Sequence, residues 1–505
     1  MNAISLRGYQ SEAVEGIRES FKAGNDRVIF VLPTGMGKTE TFIYMAAEAI
    51  SKGKTVHFWV HKKNLVKQIS DRCRKYGLRH GFIAGNRPKQ YYLPAQVCSV
   101  QSLINRLDEV PVPDLIIIDE AHHSNAGTWK QLLDHYEQIE KRVFVLGVTA
   151  TPWRSDGQGL GDIFSDMVLG PLPAEGVKLG ALVMPEYYNF KPLANFDGIK
   201  KNKDGDYNSE ELFKEMDKPA ITGNAVDEYR RLASGQPAIY SCVNIRHAEN
   251  VAAAFRDAGY NAIAVHGKLE DAEINAAFRG LASGEIHVVT FCDLISEGTD
   301  IPAVAVVGML RRTMSLSLYL QIVGRGLRPC AGKERCLILD HVGNQKLHGH
   351  PLKTRDWSLE GQPKRKRGQK DEQVDEEYTD CQECLRTYEK QLPNCPYCGA
   401  EQPIRQPKLI EEVEGVAVKD ETTLEELLKQ RKIEEAHSRT LADLYNLAKS
   451  RGYKEKWAFY RFESRVLKER GSLAYINDKY GLDAVSTADI KDAVLRCWKK
   501  FIKNL

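Results

Sequence analysis

Over the first two thirds of the chain, short apolar runs alternate with stretches whose apolar residues recur every three or four positions. The runs span residues 28–32, 55–60, 115–118, 143–148, 238–240, 262–265, 288–290, 305–309 and 336–339. They are largely apolar throughout and do not alternate, the pattern of strands covered on both faces. The chain therefore predicts parallel sheets flanked by helices. The rhythm breaks from about Tyr187 to Lys218, where FDGIKKNKDGDYN is rich in Asn, Asp, Gly and Lys. That segment predicts a connection or decoration between two α/β lobes. A second break follows Trp357: GQPKRKRGQKDEQVDEE is charged and nearly devoid of apolar residues, which predicts a solvated linker. Clustered cysteines come next, then an acidic stretch around Glu411 to Glu426. Leu424, Leu427 and Leu428, and further on Leu441, Leu444, Tyr445 and Leu447, sit at helical spacing. No solenoid-type repeat is apparent. The expected organisation is a first lobe at 1–185, a connecting segment at 186–218, a second lobe at 219–357, a charged linker at 358–378, a cysteine module at 379–403 and a mainly helical region at 404–505.

Composition narrows this picture only slightly. A length of 505 residues suits two or three compact domains with appendages, and 42% apolar with 28% charged residues is ordinary for a globular protein. The net charge of +3 does not announce a polyanion partner, although a local basic groove would serve one. The apolar run Leu115 to Ile118 is far too short to span a bilayer, and MNAISLRGYQ lacks the apolar core of a secretory signal. Of eleven cysteines, seven are scattered singly and four cluster, unlike a secreted disulfide framework. These features predict a cytoplasmic protein with no membrane partner.

Two segments carry chemistry. The run 28–32 leads into Pro33-Thr34-Gly35-Met36-Gly37-Lys38-Thr39 and then a helical pattern at 40–50. A strand, a glycine loop and a helix start form a phosphate cradle: backbone N–H groups turn inward and the helix N-terminus favours the anion. Lys38 is placed to reach β- and γ-phosphates and the Thr39 hydroxyl to ligate Mg²⁺. The general loop pattern has a glycine where Leu32 stands. The second segment is the apolar strand that ends in Asp119-Glu120-Ala121-His122. Strand C-termini of a parallel sheet face the ligand crevice, so Asp119 is a candidate Mg²⁺ partner and Glu120 a candidate base for an attacking water.

Together these segments resemble the superfamily 2 helicases of the DEAD/DEAH-box type. Further matches follow in the family's order. Leu6-Arg7-Gly8-Tyr9-Gln10 resembles the upstream adenine-reading motif, with Arg7 and Gln10 as nucleotide contacts. His61-Lys62-Lys63-Asn64-Leu65 with Gln68, and Ser99-Val100-Gln101-Ser102, sit where the family's first lobe meets nucleic-acid backbone. Thr149-Ala150-Thr151-Pro152 resembles the segment that couples hydrolysis to strand binding. In the second half, 238–249 and Val265-His266-Gly267 match early landmarks, although the arginine usual after the latter is replaced by Asp271-Ala272-Glu273-Ile274. Residues 293–302, with Gly298 and Asp300, resemble the motif that touches both ATP and nucleic acid. Gln321-Ile-Val-Gly324-Arg325-Gly326-Leu327-Arg328-Pro329 resembles the arginine-finger motif, with Gln321 as a positioning group.

The resemblance implies two tandem RecA-like P-loop domains, ATP and Mg²⁺ as cofactors, and nucleic-acid contacts at His61, Lys62, Gln101, Ser102, Thr149 and Thr151. LRGYQ, TATPWR, SEGTDIP and QIVGRGLRP look closer to restriction-enzyme motors, XPB-type repair helicases and phage branch-migration helicases than to splicing-type RNA helicases, and LILDHVGNQKLHG resembles bacterial and prophage members of that group. That group implies an ATP-dependent DNA helicase or translocase, tracking 3′ to 5′ on single-stranded or forked DNA. It also implies a monomer, or the motor of a replication, repair or defence complex. An RNA helicase and a non-enzymatic adaptor are the alternatives.

Cys381-x2-Cys384, ten residues, then Cys395-x2-Cys398 has the spacing of a zinc ribbon, a closed structural site holding Zn²⁺. Two disulfides or an iron–sulfur cluster are the alternatives. Such a ribbon either grips DNA or a partner, or braces the C-terminal region. Aromatic and basic residues mix at 451–462, where ring faces either stack on bases or pack a small helical core. The KRKR run at 364–367 fits a solvated linker better than a binding site.

Overall fold

The structure is a computed structural model that describes residues 4–61, 63–123, 127–154, 157–202, 205–292, 304–361, 377–401, 440–450, 456–467, 472–486 and 489–503. The chain divides into two units, residues 1–402 and 403–505.

The first unit holds two all-parallel sheets. Strands β1 (Arg27–Val31), β2 (Val56–Val60), β3 (His80–Ile83), β4 (Ala95–Ser99), β5 (Leu115–Asp119), β6 (Phe144–Thr149) and β7 (Asp166–Leu169) lie in the order β3-β4-β2-β5-β6-β1-β7. Strands β8 (Met184–Asn189), β9 (Ala238–Ser241), β10 (Ala262–Val265), β11 (Val288–Phe291), β12 (Val306–Met309) and β13 (Arg335–Asp340) form the second sheet, ordered β10-β11-β9-β12-β13-β8. All nine apolar runs become strands of these sheets.

Burial on both faces explains why the runs are apolar. On one face of the first sheet, Phe58 packs on Phe42 of the helix Lys38–Ser51. On the other, Trp59 meets Trp129 and Tyr136 of the helix Gly127–Glu137. In the second lobe, Tyr240 of β9 packs on Phe255 and Tyr229 from the flanking helices. Each such ring removes a large apolar area from water.

Two features depart from the sequence expectation. Met184–Asn189, split by the pattern between the first lobe and the connector, is the edge strand of the second sheet, paired along its length with β13. Residues 358–361, expected to open a solvated linker, lie against the first lobe. Trp153 Nε1 donates to Ser358 O at 3.0 Å, Gly161 N donates to Leu359 O at 2.9 Å, and the Trp153 and Trp357 rings meet edge to face at 4.5 Å.

Strands β14 (Tyr378–Asp380) and β15 (Thr387–Glu389) form a small antiparallel ribbon carrying the cysteines. It docks on the free edge of β8. Asn189 N donates to Leu385 O at 3.0 Å, and the Arg386 guanidinium meets both Glu186, at 2.6 Å, and the Tyr188 hydroxyl, at 2.6 Å. That contact caps an exposed edge and neutralises a glutamate that is otherwise buried.

In the second unit, the helices Leu441–Ser450, Lys456–Val466, Leu473–Tyr480 and Ile490–Lys503 surround Leu444, Ala458, Phe462, Ala493 and Val494. Tyr445, Phe459, Trp498 and Phe501 pack against this core, so most of the described aromatics here serve packing, while Tyr460 is exposed. No helix among the described residues is long and apolar enough to cross a membrane.

Candidate active site between the two lobes

The loop after β1 is held open by its own backbone. Gly35 (φ +94°) and Gly37 (φ +85°) adopt left-handed conformations that an L side chain disfavours, the kind of backbone that can turn N–H groups toward an anion. The Met36 side chain is fully buried and pins the loop to the core. From the N-terminal helix Gly8–Lys22, the Tyr9 hydroxyl donates to Met36 O at 2.9 Å and Gln10 Nε2 to Gly37 O at 3.0 Å. Gln10 Oε1 accepts from Arg7 N at 2.8 Å, so both ends of its amide engage local backbone and it supports the loop from behind. Lys38 Nζ donates to Leu32 O at 3.1 Å. Burial pushes the Lys38 ammonium down from its ordinary pKa, and the carboxylates of Glu120 and Asp119 oppose that shift.

The carboxylates arrive from β5, two strands away from β1 with β6 between, a separation of about 10 Å at ordinary strand spacing. Glu120 sits at φ +51°, a conformation that costs a non-glycine residue on the order of 1–3 kcal/mol and that collects at functional sites. The turn aims its side chain toward the second lobe. Glu120 Oε2 lies 3.3 Å from His122 Nδ1, which lies 3.0 Å from Thr149 Oγ1. The Thr149 hydroxyl donates to Thr151 O at 2.9 Å. With its proton used there, the Thr149 oxygen accepts, which assigns the His122 proton to Nδ1.

The second lobe approaches through the helix Leu316–Gly326. Ser317 Oγ reaches His122 Nε2 at 3.4 Å, and Gln321 Nε2 reaches Glu120 Oε2 at 3.5 Å. The approach depends on Gly324: a Cβ there would lie 2.6 Å from Thr34 Cβ of the first lobe. Arg328 also packs on the loop, its Cγ 3.3 Å from where a Cβ on Gly35 would be.

One cleft results. Arg7, Thr34, Gly35, Gly37, Lys38, Thr39, Asp119, Glu120, Arg325 and Arg328 all line it. Leu65, Gln68 and Arg72 line it too. Leu65 and Gln68 were expected on a nucleic-acid face, and the helix Lys63–Lys75 instead presents them here, with Arg72 paired to Glu40 at 2.9 Å. The signal for Arg72 lay in its position seven residues beyond Leu65, on the same helix face.

The expected nucleic-acid contacts separate into two groups. Gln101 is exposed, and its Nε2 donates to His61 O at 3.3 Å, while Ser102 Oγ accepts from Gly85 N at 3.0 Å. These residues occupy one rim. Thr149 and Thr151 are 0% and 1% exposed, inside the network around His122, and offer no surface to a strand. Thr149 ends β6, and its hydroxyl is used within that network, between His122 Nδ1 and Thr151 O. Lys62, Gly298 and Asp300 lie outside the described residues.

The ribbon's cysteines form a second site. The two knuckles repeat one hydrogen-bond pattern: Leu385 N donates to Cys381 O at 3.1 Å, and Gly399 N to Cys395 O at 2.9 Å. Both turn residues are left-handed, Leu385 at φ +62° and Gly399 at φ +77°. The four Sγ atoms lie within 4.8 Å of one another and could hold a metal ion. Cys381 and Cys398 sulfurs are 3.5 Å apart, and those of Cys384 and Cys395 3.7 Å. Those separations are too long for a disulfide and near the roughly 3.8 Å edge of a tetrahedral zinc–thiolate site.

Comparison with known proteins agrees with this architecture. Residues 3–154 match the family model described as type III restriction enzyme, res subunit, and residues 222–330 match the helicase conserved C-terminal domain. A 51.5 kDa protein of a Lactococcus phage is 31% identical over 370 residues, which cover 73% of this chain and 76% of that protein. A Schizosaccharomyces pombe protein carrying the name mitochondrial ATP-dependent helicase irc3 is 31% identical over 69% of this chain, which spans 60% of its length. In fold, the chain is similar to a fragment of an HsdR subunit of a type I restriction enzyme from Vibrio vulnificus. That match has a TM-score of 0.54 at 23% identity and covers 68% of this chain and 67% of the fragment.

Proposed function

The chain belongs to the superfamily 2 helicases of the restriction-motor group, and on that premise we propose that it is a DNA translocase that moves by closing and opening two lobes around ATP. The observation that carries this reading is the single cleft that Lys38, Asp119 and Glu120 share with Arg325 and Arg328 of the other lobe.

A divided site links chemistry to motion, because the charges that stabilise the transferring phosphoryl group are assembled only when the lobes meet. In this reading Lys38 meets the β- and γ-phosphates, and Arg325 and Arg328 neutralise charge that develops on the γ-phosphoryl oxygens. Glu120 orients and deprotonates the attacking water, and Gln321 holds the Glu120 carboxylate in place. Thr39 and Asp119 would hold Mg²⁺, which supplies further charge neutralisation. His122, bonded to Thr149 in one lobe and Ser317 in the other, reports closure to the strand bearing the carboxylates.

DNA follows a rim that includes His61, Gln101 and Ser102; the resemblance adds Lys62 as a DNA contact and Gly298 and Asp300 as ATP contacts. The DNA contacts are to backbone, so base sequence matters little. Cys381, Cys384, Cys395 and Cys398 hold Zn²⁺ in a structural role, and the docked ribbon braces the edge of the second lobe. The protein works in the cytoplasm as a monomer, or as the motor of a larger restriction, defence, replication or repair assembly.

The test is ATP hydrolysis by the purified protein alone and with single-stranded, double-stranded or forked DNA or single-stranded RNA, beside Glu120→Gln. DNA stimulation that is lost in the variant supports the proposal. Stimulation by RNA alone reassigns the substrate, and no stimulation by any nucleic acid removes the motor reading.

A further inference from the structure

The helix that carries Arg325 ends at Gly326, and Arg328 stands in the turn just beyond. A helix end leaves carbonyls with no intrahelical donor. Here Gly326 O and Arg328 O share one donor, the ammonium of Lys333, at 2.5 and 2.8 Å. A tight reversal brings Lys333 back to them: Lys333 N donates to Cys330 O at 3.1 Å, and Gly332 is left-handed at φ +77°. The opposite side of the turn is equally constrained. A Cβ on Gly326 would lie 2.4 Å from Cys336 Sγ and 2.5 Å from Val307 Cγ2, so the backbone rests directly on β12 and β13.

Arg328 therefore departs from a turn pinned to the sheet beneath and clamped by an ammonium above. Lys333 is not among the residues that line the cleft, and its two hydrogen bonds to the Gly326 and Arg328 carbonyls connect it to the turn that carries Arg328. It is half-buried, and burial, with help from Arg328, lowers its pKa from the ordinary lysine value. Spending a partly desolvated cation on two carbonyls makes sense where those carbonyls fix something. A cation at a helix C-terminus is also favoured by the helix dipole.

We propose that Lys333 is a positioning residue for ATP hydrolysis: by clamping the carbonyls of Gly326 and Arg328, it sets the direction in which the Arg328 guanidinium enters the cleft. The inference rests on the reading of Arg325 and Arg328 as the second lobe's contribution to the transition state. A misaimed guanidinium can still attract ATP through its charge. It loses transition-state stabilisation, which depends on placement within a fraction of an ångström.

The experiment measures kcat and KM for ATP at saturating single-stranded DNA for the full-length protein, Lys333→Met, Lys333→Arg and Arg328→Ala, with thermal unfolding of each. Lys333→Met, which keeps most of the side-chain length and removes the donor, is expected to lower kcat about tenfold with KM within about twofold. Lys333→Arg, able to donate to both carbonyls, is expected to recover more than half of that loss. A kcat within about twofold of the parent in Lys333→Met overturns the proposal, as does a loss confined to KM. So does a loss that tracks the unfolding temperature and is not rescued by arginine. If Lys333→Met does not fold, Lys333→Leu, which also lacks a donor, replaces it under the same criteria. Arg328→Ala separates the layers: if it leaves kcat intact, the parent reading fails. If it lowers kcat while Lys333→Met does not, only the role of Lys333 falls.

Discussion

Strands β5 and β13 are written almost alike, Leu-Ile-Ile-Ile-Asp and Cys-Leu-Ile-Leu-Asp, and each brings a carboxylate to the C-terminal edge of a parallel sheet. The two carboxylates meet opposite fates. Asp119, with Glu120 beside it, lines the cleft between the lobes. Asp340 is fully buried and accepts four hydrogen bonds, from Val342 N, Gly343 N, Gln345 N and the Tyr187 hydroxyl, at 2.7 to 3.1 Å. The loop decides the difference. After β5 the chain turns through a left-handed Glu120 and away. After β13, left-handed Gly343 folds the backbone over the carboxylate and points three N–H groups at it. A strand-end aspartate is thus a site only where the following turn leaves its oxygens facing a cleft. Where the turn closes, the same residue is a cap.

Reciprocal substitutions break the comparison most sharply. Glu120→Gln is expected to lower nucleic-acid-stimulated hydrolysis by about a thousandfold, roughly 4 kcal/mol, and to leave the unfolding midpoint in place. Asp340→Asn turns an amide NH2 toward backbone donors and is expected to cost about 2–4 kcal/mol of stability in urea unfolding. Hydrolysis per folded molecule should stay within about twofold. If Asp340→Asn abolished hydrolysis at full stability, the two aspartates would not differ as described.

Smaller effects sharpen the contrast. Gly324→Ala adds a methyl where Thr34 of the first lobe already sits. It is expected to lower kcat about tenfold or more by holding the lobes apart, while a fluorescent ATP analogue still binds. Cys381→Ser or metal chelation acts on the other side. The ribbon covers the edge of β8, which supplies Tyr187 to Asp340. Amide exchange is expected to rise about tenfold in residues 186–189 with little change at 115–120, read by mass spectrometry.

The mildest test is pH. His341, next to Asp340 in the chain, His350, against the Tyr187 ring, and His57 in β2 are each pushed down to about 3, chiefly by burial. Their folded pKa values lie below the unfolded one, so their contribution is complete above about 6.5 and is lost as pH falls from there toward 3. Urea midpoints should be flat from pH 8 to 7 and decline steadily below about 6.5.

What the sequence determined by itself is whatever local chemistry encodes. The nine apolar runs became buried strands because apolar side chains leave few polar groups to desolvate on either covered face. The loop at 33–39, the pair Asp119 and Glu120, the run 321–329 and the two CxxC pairs were legible as candidates because each proposed role needs particular atoms at fixed short spacing.

The tertiary structure decided the rest. Strands β3 and β7 are too exposed to show an apolar signature, and β4 contains a buried Gln96 whose Nε2 donates to the carbonyls of Gln90 and Leu93. Strand β8 conceals itself with Glu186, buried only because Arg335 and Arg386 arrive from distant positions. The burial of Thr149 and Thr151, the turn of Leu65, Gln68 and Arg72 toward the cleft, the return of residues 358–361 to the first lobe and the clamp of Lys333 share that origin. Each is set by which remote segment packs beside it. The free energy of such contacts depends on neighbours far along the chain, and a local pattern of polar and apolar residues carries no record of them.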